Sequence, residues 1–148
     1  MSKAIDLAHK AFNFNEVPVG CLIVDDEGHI IAESYNTKEY DQVATHHAEI
    51  LAIERASQKL NSWRLIDCSL YVTLEPCPMC MGAIIQSRIK NVYFGAYDPK
   101  GGAISQGLNI HQHPNLNHRC HLSGGHKHRE CGKILSDFFK QKRSHYRK

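Results

Sequence analysis

No stretch of this 148-residue chain is apolar for long enough to leave water. The first twenty residues interleave Lys3, Asp6, His9, Lys10 and Glu16 with the apolar positions, so the expectation is a chain with no secretory leader and no membrane span. Linkers, repeats and low-complexity tracts are missing too. Residues 1–148 therefore read as a single domain, long enough to bury one core without disulfides. A disulfide framework is equally lacking. Cys21, Cys68, Cys120 and Cys131 are scattered, and only Cys77 and Cys80 are spaced like metal ligands, a usage that points to a reducing cytoplasm. The hydrophobic share of 42% and charged share of 22% are ordinary for a globular protein.

Strand and helix signals alternate along the chain. Ala4, Leu7, Ala8 and Ala11 follow a helical period, predicting a helix over 2–14. Val19 to Val24 and Ile30 to Tyr35 read as strands of a hairpin turned by Asp25 to Gly28. Residues 47–60 read as a helix capped by Thr45 or its preceding turn. A strand at Leu70 to Leu74 leads to a helix over 77–87, with Pro76 and Pro78 suited to its first turn. Val92 to Ala96 is another strand, 118–122 a weaker one, and 128–146 a final helix with Ile134, Leu135, Phe138 and Phe139 on one face. The alternation predicts a layered α/β domain with a central sheet.

The chemistry concentrates in two short motifs. His47-Ala48-Glu49 and Pro76-Cys77-Pro78-Met79-Cys80 supply one imidazole and two thiols, three ligands for a tetrahedral zinc whose fourth position stays open to water. A closed structural site would take a fourth Cys or His. Three ligands beside a carboxylate read as hydrolysis, with Glu49 placed to move protons. Alone, a Cys-x-x-Cys is also compatible with redox or structural roles, and His46 competes with His47. The His-x-Glu spacing favours His47, and the combination of the two motifs at predicted helix starts makes a zinc site. Cys77 and Cys80, three residues apart, share one helical face, where the helix dipole favours thiolates. This pairing is the signature of the zinc nucleobase deaminases. The histidines from His111 to His128, among them His121, His126 and His128, invite a second metal site with Cys120 or Cys131. Their spacing is irregular and Gly124-Gly125 suggests a turn, so they read as a solvated loop and helix start.

The net charge of +3 is unevenly spread. From Phe138 onward come Lys140, Lys142, Arg143, Arg147 and Lys148 with no acid, beside Phe139 and Tyr146. Such an end can hold phosphates and stack bases, or simply complement the negative end of a helix.

Further blocks carry a resemblance. Glu16-Val17-Pro18-Val19-Gly20, His47-Ala48-Glu49-Ile50, Trp63-Arg64-Leu65-Ile66-Asp67, Leu70 through Cys77, Ser87-Arg88-Ile89, Phe94-Gly95-Ala96, His113-Pro114, Asn117-His118-Arg119 and Leu135-Ser136-Asp137-Phe138-Phe139 together resemble the bacterial tRNA-specific adenosine deaminases, over nearly the whole chain. The zinc pattern alone fits cytidine, cytosine, guanine and deoxycytidylate deaminases equally well; the flanking blocks narrow it. The resemblance implies a three-layer α/β/α cytidine-deaminase-like fold with a mixed sheet of about five strands, and a homodimer. It also implies deamination of the wobble adenosine of a tRNA anticodon loop to inosine, in the cytoplasm. Glu49 matches the family's proton shuttle, and His47, Cys77 and Cys80 its ligands for one zinc per chain. Asn36 matches an asparagine near the target base, Val19 a pocket wall and Asp98 an aspartate near the RNA backbone. Lys100, Lys140, Lys142 and Arg143 are candidates for phosphate contacts, and Asn117, His118 and Phe138 for further RNA contacts. Tyr97 and Pro99 depart from many relatives. The alternatives are a deaminase of a free base or nucleoside, and a zinc-stabilised RNA-binding module without catalysis, against which the open coordination position and Glu49 argue.

Overall fold

The computed structural model describes residues 1–147; Lys148, the last cation of the basic end, lies outside the described residues. The elements are α1 (Ser2–Asn13), β1 (Gly20–Val24), β2 (Ile30–Tyr35), α2 (Lys38–Asp41), α3 (Ala48–Leu60), β3 (Ser69–Leu74), α4 (Pro78–Gln86), β4 (Asn91–Ala96), β5 (His121–Ser123) and α5 (His128–Tyr146), with a single 3-10 turn at Ile110–Gln112. The five strands form one mixed sheet in the order β2-β1-β3-β4-β5. β1 pairs antiparallel with β2 and β3, whereas β3, β4 and β5 run parallel.

Side-chain alternation explains the layers. Cys21 and Ile23 of β1 face one core with Ala48, Ala52 and Ala56 of α3 and Met81, Ile84 and Ile85 of α4. Leu22, between them, faces Ala4 and Leu7 of α1 on the other side. α5 joins α1 there: Phe138 meets Phe12 edge-to-face at 5.6 Å, and Cys131 packs against Gly95 of β4. The small alanines let helices sit close. Gly20 is needed for the same reason, since a Cβ there would stand 2.0 Å from the Ala4 carbonyl oxygen. The expected α/β/α arrangement with five mixed strands is thus present. Of the apolar run on the second motif helix, Met81, Ile84 and Ile85 are core and Met79 is exposed.

The hairpin turn works through Asp25, whose Oδ1 accepts the amides of Glu27 (3.0 Å) and His29 (2.8 Å) while Gly28 takes φ 84°. Two expectations change. The last strand is three residues, His121–Ser123, displaced from 118–122. The cap of α3 is His47 itself, in extended conformation, rather than Thr45, whose carbonyl accepts the His47 amide at 2.8 Å.

Candidate active site

Both motifs end an extended segment and begin a helix. His47 (ψ 155°) precedes α3 and Cys77 (ψ 170°) precedes α4, where Pro78 fits the first helical position. The ends of β1, β2, β3 and β4 bring them together. His47 Nδ1 lies 3.6 Å from Cys77 Sγ and 3.5 Å from Cys80 Sγ, and the three ligand atoms lie within 4.8 Å of one another. Zinc bonds of ~2.0–2.1 Å to nitrogen and ~2.3 Å to sulfur at a tetrahedral angle separate the two by about 3.6 Å. The donor set therefore fits one tetrahedral zinc. His46 is turned away, its Nδ1 2.7 Å from Asp41 Oδ2, which also accepts from Thr37 Oγ1. Among the described residues this is the one group of three potential ligands; the histidines from 111 to 128 form no second one.

The electrostatics suit a metal. Hydrogen bonding from Cys80 and then His47 holds the Cys77 thiol down at about 4, a thiolate at neutral pH. The bond it shares with Cys77, together with burial, raises Cys80, while the Cys77 contact raises His47. Glu49, in the first turn of α3, is 4% exposed, and burial raises its carboxyl above the usual range.

A cavity of about 230 Å³ opens over these groups, walled by Val17, Val19, Asn36, Lys38, Leu74, Glu75, Asp98 and Gly101. Asn36 Nδ2 donates to the Val17 carbonyl (3.3 Å) and its Oδ1 accepts the Lys38 amide (3.2 Å). Asp98 Oδ1 accepts the amides of Lys100 (3.2 Å) and Gly101 (3.0 Å). A wider groove of about 680 Å³ continues from the cavity, sharing Val17, Leu74, Asp98 and Gly101 and adding Tyr97, Lys100, Leu135, Phe139 and Arg143.

Val19, Asn36, Glu49 and Asp98 therefore converge, and Lys100 and Arg143 edge the groove. Lys140 is exposed on α5, whereas Lys142 turns towards α1, its ammonium 5.5 Å over the Phe138 ring. Asn117 is exposed, and His118 Nε2 lies 2.7 Å from the Ile89 carbonyl oxygen. The expectation that Phe138 faces RNA fails on burial. Phe138 is 4% exposed, and its neighbour Phe139, 44% exposed, stands in the groove instead. Two buried carboxylates escaped sequence reasoning. Glu16 accepts the amides of Tyr40 (2.6 Å) and Glu39 (3.2 Å), holding α2 beside the cavity, and Glu75 holds the loop after β4. Both sit in the quoted blocks; an acid set among apolar residues within two positions of a proline, Pro18 or Pro76, was the available signal.

The model of the MafB19-like deaminases matches residues 1–143. The chain belongs to that family. This deaminase is 46% identical over 143 residues to the tRNA-specific adenosine deaminase of Bacillus subtilis, covering 97% of this chain and 88% of the relative. It superposes with TM-score 0.87 and 41% identity on a solved tRNA:A34 deaminase, covering 91% of this chain and 97% of the other. A guanine deaminase from Bacillus subtilis is more distant, at TM-score 0.63 and 34% identity over 82% of this chain and 80% of its own. The fold is the cytidine-deaminase-like one, and the deaminase is a hydrolytic enzyme.

Proposed function

We propose that this deaminase hydrolyses adenosine to inosine at the wobble position of a tRNA anticodon, releasing ammonia. One adjacency carries the reading: the cavity over Glu49 and the three-donor cluster runs into a groove edged by Tyr97, Phe139, Lys100 and Arg143. A free base needs only the cavity. A single-stranded RNA loop uses both, with one base inserted, neighbouring bases on the aromatic faces and phosphates on the cations. The likeness to enzymes named for tRNA adenosine deamination supports the same substrate class.

His47 Nδ1, Cys77 Sγ and Cys80 Sγ would hold one zinc per chain, which would supply the Lewis acidity that makes water nucleophilic near neutral pH. Glu49 takes the proton of the attacking water, and its burial lets it keep that proton until N1 of adenine accepts it. A second transfer through Glu49 protonates the 6-amino nitrogen as the C6–N bond breaks. Adenosine and water thus become inosine and ammonia. Asn36 keeps a second amide N–H for the edge of the base, Val19 gives an apolar wall, and Asp98 faces the RNA backbone. Lys100 and Arg143 on the groove, with Lys140 exposed on α5, neutralise phosphates, and Asn117 and His118 contribute from the connection before β5. An anticodon loop is already single-stranded, so extruding its base costs less than flipping one from a duplex.

Residues 1–148 act as one deaminase domain. The exposed apolar side chains of Trp63 and Ile66, after α3, and Met79, on α4, support pairing into a homodimer. Six free cysteines support work in the cytoplasm, and no described helix is long and apolar enough to cross a membrane.

The test is incubation of the zinc-loaded protein with an anticodon stem-loop carrying adenosine at the wobble position, followed by nucleoside analysis, with free adenosine, guanine and cytosine in parallel. Inosine at that one position is the expected product. Turnover of a free base without RNA product would replace the substrate by a small one.

A further inference from the structure

Glu75 follows β3 and immediately precedes Pro76 and Cys77; it walls the cavity, and its carboxylate is bound by the loop that follows β4. It is 2% exposed. Its oxygens accept the amide of Asp98 (3.2 Å), the amide of Ser105 (2.9 Å) and the Ser105 hydroxyl. No ion pair involving it exists among the described residues. A carboxylate buried without a cation is costly unless several donors replace its water, and here the loop backbone supplies them. Gly102 lies flat on the group: a Cβ at that position would stand 1.9 Å from Glu75 Oε2. The loop is thus wrapped around the carboxylate from Asp98 to Ser105, and the neighbouring Ala103 amide is tied to the Pro76 carbonyl at 2.9 Å.

What that loop carries gives the arrangement its consequence. Asp98 and Gly101 wall both the cavity and the groove, and Lys100 edges the groove. Asp98 in turn fixes the backbone of Lys100 and Gly101 through its Oδ1. The chain of contacts runs from Glu75 to the Asp98 amide, from Asp98 to Lys100, and so to the shared wall where the cavity opens. We infer that Glu75 is a positioning residue for substrate binding, fixing the 98–105 loop so that an inserted nucleotide and its flanking backbone meet a preformed wall. A group that holds the wall without touching the reacting atoms acts on binding more than on the chemical step. The inference rests on the RNA-deaminase reading for its substrate, but the ordering of the loop is measurable without turnover.

Glu75→Gln keeps the shape and cannot accept at both positions, so one loop amide faces an N–H. Ser105→Ala removes one donor and leaves the carboxylate intact, which makes it the milder second variant. For each, zinc content, amide hydrogen exchange over 98–105, and KM and kcat on a wobble-adenosine stem-loop are measured beside the unaltered protein. The expected result for Glu75→Gln is one zinc per chain, loss of exchange protection confined to 98–105, and a KM raised about tenfold with kcat within about twofold, the size expected for one or two hydrogen bonds. Ser105→Ala shifts the same quantities in the same direction by about threefold. Unchanged protection and KM in both variants overturns the inference, as does a fall in kcat or zinc content with KM unchanged. If Glu75→Gln does not fold, Ser105→Ala decides alone. If the unaltered protein makes no inosine, the substrate reading fails by itself, and the exchange data together with stem-loop affinity still decide the role of Glu75.

Discussion

The His47 ring nitrogen and the Cys80 sulfur stand 3.5 Å apart across 33 residues of sequence, each at the start of a different helix. Neither helix end has a side-chain cap, so the first-turn amides and the dipoles of α3 and α4 both point at the space between the ligands. That positive field helps hold sulfur as thiolate. Metal removal should expose it. After chelation, Cys77 is expected to be the thiol that alkylates first, because its neighbours hold it at about 4 whereas Cys80 is raised. The sign is that of a depressed acid: the thiolate is complete above its folded pKa and lost only below it. Labelling by iodoacetamide, read by peptide mass spectrometry, should therefore stay nearly flat from pH 8 down to pH ~5, while an ordinary thiol slows about tenfold per unit. Reloading zinc should protect Cys77. A rate that climbs with pH like a free thiol, or equal labelling of Cys80, would count against this arrangement.

Glu49 is the second point of leverage. Its carboxylate is buried beside the donor cluster, and the proposed proton transfers need it, but it is not one of the three donors. Glu49→Ala is expected to retain one zinc by metal analysis and to lose activity by roughly 10² to 10⁴-fold, the usual range for general acid–base help. Near-normal inosine formation by a zinc-replete Glu49→Ala protein would remove Glu49 from the chemistry.

Gly20 tests the packing that carries β1 to the site. Alanine there would drive a methyl into the Ala4 carbonyl, 2.0 Å away, and into Leu7 Cβ at 2.8 Å. α1 must move outward. The expected cost is about 1–3 kcal/mol in urea unfolding, typical of overpacking. Because α1 lies on the sheet face opposite α3 and α4, zinc content should not change. A neutral Gly20→Ala would mean that α1 shifts at little cost.

The residues show where sequence reading carried and where it ran out. α5 was legible to the residue, His128–Tyr146, because its apolar period is long; the motif helices were legible because His47 and Pro78 mark their starts. α2 was not. One turn, Lys38–Asp41, has no period to detect, and what holds it is Glu16, 23 and 24 residues away from the amides it accepts. Glu75 read as a strand boundary before Pro76-Cys77, since its partners, Asp98 and Ser105, lie 23 and 30 residues on. Local periodicity cannot report such contacts. The same limit governs α5: Ile134, Leu135, Phe138 and Phe139 all read as one apolar face, but the face is wider than the contact it makes. Ile134 and Phe138 go to the interior, and Leu135 and Phe139 fall to the groove.

That split separates stability from binding in two adjacent rings. Phe138 is enclosed by Phe12 at 5.6 Å and Phe139 at 5.4 Å, so Phe138→Ala leaves a cavity and should cost about 3–5 kcal/mol of stability. Phe139 lines the groove with Tyr97 and Arg143, and its removal leaves open surface. Phe139→Ala is therefore expected to unfold within about 1 kcal/mol of the unaltered protein, as surface changes usually do. Its affinity for a wobble-adenosine stem-loop should fall by the ~1–3 kcal/mol that stacking a base on an aromatic ring is worth. Arg143→Ala should weaken the same complex differently, lowering the salt slope of its affinity by about 0.7, the share of one phosphate on a single strand. Urea melts and stem-loop titrations at several salt concentrations separate the three. A Phe139→Ala protein that binds the stem-loop as tightly as its parent would move the RNA off this groove, and a stable Phe138→Ala protein that binds poorly would reverse the assignment of the two rings.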